Sequence, residues 1–168
     1  MQTKSEFGGK FIFRCLDPKG NLKWEDFIEN LTTKEGLDYI LGVSFKGNTQ
    51  SSTWYIGLMD STPTLDADDT MGSHSGWSEV TAYDETDRQE WVQSSISSPS
   101  IDNSSSKASY SINTNDTVIG GGFLVDDPTK GGTSGILLAE SAFSGGDKTA
   151  DSGDTLEVEY SYSASSSS

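Results

Sequence analysis

The chain has 168 residues, with 11 Lys and Arg against 26 Asp and Glu and a formal net charge of -15. That length fits one domain around one core, and the charge excludes partners that need a basic surface: duplex DNA, RNA and anionic lipid. Leu, Ile, Val and Phe supply 33 of the 168 residues, near the edge of a disordered composition, but 17 aromatics and alternating apolar runs indicate a folded, strand-rich domain.

The opening residues MQTKSEFGGK lack the apolar run of a signal peptide, and no stretch approaches the ~18 apolar residues of a membrane span. The expectation is a protein made in a host cytoplasm without export, with no membrane partner. Residues 1–10 read as an N-terminal arm and 11–163 as a single domain. Within it, 11–16 (FIFRCL) reads as a strand, Asp17-Pro18-Lys19-Gly20-Asn21 as a turn, and 22–28 as the return strand. Thr32 with Glu35 three residues on predicts a capping box, and Leu37, Ile40 and Leu41 predict a short helix over 33–43. Gly36 and Gly42 weaken that helix, so it must depend on packing.

Residues 53–60 alternate strictly, with Trp54, Ile56 and Leu58 on one face and Tyr55, Gly57 and Met59 on the other. A long loop at 61–76 follows, of the length usually reserved for function or mobility. Segments 77–83, 90–93 and 95–101 read as weaker extended structure, and 107–112 places Ala108, Tyr110 and Ile112 on one face. Residues 118–125 predict one strand interrupted by Gly120, Gly121 and Gly122, a bulge or a close backbone approach. Strands at 136–143 and 155–162 complete the set, and 164–168 reads as a flexible Ser tail. Eight or nine short strands and one short N-terminal helix describe a mainly β fold, an antiparallel β-sandwich or jelly roll.

Chemistry is sparse. Cys15 is the sole cysteine and His74 the sole histidine. No disulfide or thiolate metal site can therefore form within the chain, and a hydrolytic triad would have only His74, in Gly72-Ser73-His74-Ser75-Gly76, as its base. Cys15 reads as a small buried hydrophobe and His74 as a polar loop residue. The run Gly145-Gly146-Asp147-Lys148-Thr149 lacks the Gly directly before Lys that a phosphate-binding loop needs. Asp60, Asp66, Asp68 and Asp69, or Asp126 and Asp127, offer hard oxygen ligands for Ca²⁺ without EF-hand spacing. Two carboxylates of a β-sandwich glycanase remain an alternative, to be recognised by a close pair in a cleft with one raised pKa. Alternation places most of Trp54, Trp77, Trp91 and Tyr160 on core faces, and the glycosylation sequons at Asn30, Asn103 and Asn115 read as chance matches. No cofactor or resident metal is expected.

The runs NLTTKEGLDYILGVSFKGNTQ (30–50), TWYIGLMD (53–60), DTMGSHSGW (69–77), DRQEW (87–91) and SGDTLEVEYSYS (152–163) resemble a family of tailed-bacteriophage virion proteins. The resemblance covers most of the chain beyond residue 10. It implies a non-enzymatic capsid decoration or cement protein on the virion surface, with the phage major capsid protein and further copies of itself, as a homotrimer, for partners. A tail or fibre accessory protein that recognises host surface glycans is the alternative. Charge adds a docking hypothesis: residues 1–46 hold seven bases and seven acids, whereas 47–168 hold four and 19. Lys4, Phe7, Lys10, Lys19 and Lys23 are then the candidate docking residues, with the acidic remainder facing outward.

Overall fold

A computed structural model describes residues 4–167, with side chains over 5–166. The chain opens with β1 (Lys4–Leu16), β2 (Leu22–Glu29), β3 (Leu31–Thr32), α1 (Lys34–Phe45), β4 (Tyr55–Met59) and β5 (Gln89–Glu90). It continues with β6 (Ser100–Asp102), β7 (Ala108–Ser111), β8 (Thr117–Ile119), β9 (Gly121–Val125), β10 (Leu137–Ala142), β11 (Lys148–Ala150) and β12 (Thr155–Ser167). The fold is mainly β and antiparallel. One five-stranded sheet runs β2-β1-β12-β6 with β7 also on β12; a second runs β3-β10-β9-β4-β5; β8 and β11 form a small pair.

Period-two alternation builds the main core, as the sequence requires. Phe11, Phe13 and Cys15 of β1, Leu156, Val158 and Tyr160 of β12, and Ala108 and Tyr110 of β7 are buried together with Ile56 and Leu58 of β4 and Leu124 of β9. Tyr110 Oη crosses between the sheets to donate to the Ile56 carbonyl at 2.5 Å. The opposite face of β4 and β9 is buried too: Met59, Phe123 and Val125 join Met71, Trp77 and Leu137 in a second, smaller cluster. Gly57 is obligatory between these layers, because a Cβ there would lie 2.0 Å from the Phe123 ring.

The termini differ from the expected free arm and flexible tail. β1 and β12 pair along their whole length, from Lys4↔Ser167 to Leu16↔Thr155. β2 joins β1 only from Lys10↔Glu29 onward, and β6 joins β12 only over Ser161–Ser163. Residues 4–7 and 164–167 therefore form a two-stranded ribbon beyond the reach of β2 and β6; residues 1–3 and 168 lie outside the described residues. Serines suffice there because a ladder needs backbone groups, not buried side chains.

Three local readings change. The helix cap is Thr33, not Thr32: its buried hydroxyl accepts from Gly36 N at 2.9 Å and donates to the Leu137 carbonyl at 2.5 Å. Thr32 is occupied in β3, opposite Ala139, and Glu35 accepts from Leu137 N at 2.9 Å instead of closing a capping box. The expected single strand at 118–125 is two strands in different sheets, broken at Gly120, where a Cβ would stand 2.1 Å from the Asp60 carbonyl. Asn103, in a sequon by composition, is fully buried and occupies the step where β12 changes partners. It accepts from Tyr160 N at 2.7 Å and donates to the Val158 carbonyl at 3.3 Å, taking the place of a strand.

Candidate functional site

Phe7 continues the inward row of β1 that Phe11, Phe13 and Cys15 begin, and its cross-strand partner Ala164 continues the row of Tyr160 and Tyr162. The second sheet does not reach that far, so the core face of the first sheet runs out into solvent. Phe7 is 51% exposed and, with Ile40, Ile96, Pro99, Ile101 and Ala164, lines an almost wholly apolar groove. Ile40 belongs to α1, whose Leu37, Leu41 and Phe45 lie at i, i+4 and i+8 as an exposed stripe, 40%, 55% and 80% accessible. Behind it, a cavity of about 310 Å³ is walled by Tyr39, Trp54, Trp91, Leu138 and Tyr162. Phe7 and Ile96, two of the large exposed apolar side chains, thus meet in this groove, and Ile40 brings α1 to its wall. Apolar surface gathered in one place marks contact with another molecule, unlike apolar residues scattered singly.

The five candidate docking residues do not form one patch. Phe7 belongs to the ribbon end; Lys4 starts the same strand, and its side chain lies outside the described residues. Lys10 turns to the opposite face, with Nζ 5.0 Å from the centre of the Phe27 ring. Lys19 sits in the β1–β2 turn, about 30 Å from Phe7 along the strand, where its amide donates to Asp17 Oδ1. Lys23 is committed internally: Nζ meets Asp154 Oδ2 at 2.5 Å and Asp151 Oδ2 at 3.0 Å, and these bonds hold its ammonium above the usual lysine range. The charge asymmetry of the sequence also does not become a neutral face. Because β1 lies beside β12, Arg14 stands between Glu25 and Glu157, and Ile12 beside Glu159. What gathers at the ribbon end is apolar surface, of which Ile40 alone reads in sequence as part of a helical apolar spacing.

The remaining candidate chemistry is absorbed by the fold. Cys15 is buried, 3.7 Å from Asp154 Oδ2, and burial followed by that carboxylate pushes its thiol up to about 12, so it stays protonated. His74 stacks on Trp77 with ring centres 3.7 Å apart. Asp60 accepts from Ser78 N, Asp68 pairs with Lys34, and Asp126 accepts from Ser51 Oγ and Ile136 N. Among the described residues, no group of three or more His, Cys, Asp or Glu is placed to hold a metal ion, and no helix is long and apolar enough to cross a membrane. Trp54, Trp77, Trp91 and Tyr160 are all buried, as their alternation requires.

No match to this chain is found among protein-family profiles, curated proteins or solved structures.

Glu140, which carried no signal of its own in the sequence, stands out in the fold. Glu140 of β10 is fully buried under the loop at 61–77, and Asp69 of that loop is nearly so. Burial first, and the negative charge of Asp69 second, push the Glu140 carboxyl up to about 7. Glu140 thus has a raised pKa of the kind expected of a glycanase acid, but neither Glu140 nor Asp69 lines the grooves described above. Nearby, Arg88 is buried with Nε and Nη2 on the two oxygens of Glu79 at 2.9 and 2.8 Å, and its guanidinium stands 5.2 Å from the Phe123 ring centre.

Proposed function

We propose that this chain is a bacteriophage capsid decoration protein, a β-sandwich of jelly-roll type that binds the outer surface of the major coat lattice through its ribbon end. The apolar groove at that end carries the reading. A decoration subunit stiffens a shell by covering joints between coat subunits, which takes an exposed apolar contact face and no catalytic cleft. The excess of acids over bases keeps the body solvated. It also opposes end-to-end meeting of two copies, each bearing -15, whereas a neutral or basic coat surface meets no such repulsion. Threefold clusters, side by side on the lattice, would let several weak contacts act together.

The structure sharpens the obvious deletion test. Removing residues 1–10 would also remove Gly9, whose carbonyl accepts from Asn30 N at 2.9 Å, so loss of binding would be confounded with damage to the sheet. Phe7→Asp and Ile96→Asp alter the exposed end alone. Phage heads that lack this protein should bind the wild-type chain and gain resistance to heat and low salt, and should bind neither variant. Recovery of the protein with purified tails, and not as an abundant component of heads, would sink the reading in favour of a tail accessory.

A further inference from the structure

β1 has a neighbour on both sides along most of its length and on one side only at its start. β12 follows it from Lys4 to Leu16, whereas β2 is present only from Lys10 onward. Asn30 ends that second ladder: its N–H donates to the Gly9 carbonyl at 2.9 Å and its side-chain Oδ1 accepts from Gly9 N, after which the chain leaves for β3 in the other sheet. Both backbone groups of Gly9 therefore point to the β2 side. In a strand the groups of every second residue point the same way, so the N–H and C=O of Phe7 and Ser5 point into the slot beyond the end of β2. Among the described residues, nothing is bonded to them there. A cavity of about 360 Å³ opens at this corner, with Phe7, Gly8, Glu29 and Asn30 in its lining. The other edge of the ribbon is partly covered, since Ala164 N donates to the Pro99 carbonyl at 3.1 Å.

The two faces of the slot differ in chemistry. On the inner face Phe7, half exposed, opens on the apolar groove with Ile96, Pro99 and Ala164. On the outer face Gly8 carries no side chain, and a Cβ there would meet nothing within 4 Å, so a long side chain lying across it finds room. Glu29 stands exposed at the head of that space. Its cross-strand neighbour Lys10 is turned instead to Phe27, with Nζ 5.0 Å from the ring centre. The net charge of -15 draws a basic segment towards this carboxylate and repels an acidic one.

We propose that the ribbon end docks by strand addition: an extended segment of the partner, with apolar and basic side chains in alternation, enters the slot beyond β2 antiparallel to β1. This rests on the reading that the ribbon end binds the coat lattice, and it names the chemistry of the segment bound. The antiparallel direction lets Phe7 exchange both of its outward bonds with one residue of the segment, and Ser5 with the residue two further on. Those two residues are the apolar ones and lie on the groove side with Phe7. The residue opposite Gly8 faces outward and brings its cation to Glu29. Main-chain bonds then supply affinity, and the alternating side chains supply specificity.

The edge is tested first on the full chain alone, by following its amide resonances during titration with two end-blocked pentapeptides, Val-Lys-Val-Lys-Val and Val-Glu-Val-Glu-Val. The lysine peptide should shift the Ser5 and Phe7 amides saturably, and the glutamate peptide should bind at least about tenfold more weakly. Glu29→Lys should reverse that preference. Ser5→Pro removes an outward N–H and leaves the β12 ladder whole, so it should unfold at the wild-type urea concentration and lose the response. No saturable shift at Ser5 and Phe7, or an equal response to both peptides, would overturn the proposal. On phage heads lacking this protein, Ser5→Pro should bind at least about tenfold more weakly than the wild type. Wild-type binding by Ser5→Pro together with failure of Phe7→Asp would leave the groove as the docking site and overturn strand addition. A peptide response at Ser5 and Phe7 with no binding of the wild type to heads would uphold the edge site and overturn the capsid reading.

Discussion

The two faces of the β3-β10-β9-β4-β5 sheet are closed by different physics. Towards β1 and β12 the cover is another sheet: its side chains follow from alternation, and continuous ladders fix their positions. Towards solvent the cover is loop, held by a few polar side chains: Arg88 on Glu79, and Glu140 on Asp66 and Trp77. The first closure spreads its stability over many apolar contacts, each contributing little. The second concentrates it in buried charges, where removing one partner strands the other. The same strands thus have one face held by apolar packing and one whose cover hangs on a few buried polar groups.

The largest break in that contrast is Arg88→Ala, which leaves Glu79 buried and unpaired on the loop-covered side; we expect a loss of about 3–5 kcal/mol in urea unfolding. Next comes pH. The folded state holds the Glu140 proton up to about 7, whereas an ordinary glutamate releases it near 4.5. Stability from this group is therefore fully present below pH 4.5, falls between 4.5 and 7, and levels off above, a loss of about 3 kcal/mol. Thermal unfolding should show a lower midpoint at pH 8 than at pH 5 in the wild type, and a smaller difference in Glu140→Gln.

Polar bonds within the sheet-covered side should matter less, because ladders and packing surround them. Asn103→Ala orphans Tyr160 N and the Val158 carbonyl at the partner change along β12, at a cost of about 1–3 kcal/mol. Tyr110→Phe removes a single bond to the Ile56 carbonyl and should cost about 1 kcal/mol. If Tyr110→Phe destabilised as much as Arg88→Ala, the contrast between the two closures would be lost.

Alternation made the sheet-covered side legible in advance. The faces of Trp54, Ile56 and Leu58, and of Ala108, Tyr110 and Ile112, read from the sequence pack into the main core, although Met59 on the other face of β4 is buried as well. The weak helix with Gly36 and Gly42 does depend on packing, since both glycines are buried, Gly36 against the backbone of Leu138. The ribbon was not legible, because Ser165 and Ser166 carry no apolar signal and their strand is imposed by β1 lying alongside. The loop-covered side was illegible for a similar reason. Arg88 and Glu79, or Glu140 and Trp77, become partners only through tertiary placement, and the one local hint was a glutamate inside LLAESA. Charge counted along the chain misled, because strand pairing interleaves the first quarter with the acids of β12.

The ribbon end is the part of the molecule on which the functional reading stands, and it is separable from both cores. Phe7 is half exposed, so Phe7→Asp should change folding stability by no more than about 0.5 kcal/mol. The decisive measurement is co-sedimentation of the wild-type chain and Phe7→Asp with phage heads lacking this protein. The expected result is saturable binding of the wild type and a loss of at least about tenfold in affinity for the variant, which unfolds at the same urea concentration. Equal binding by the two chains, or no binding by either, would contradict docking through this end.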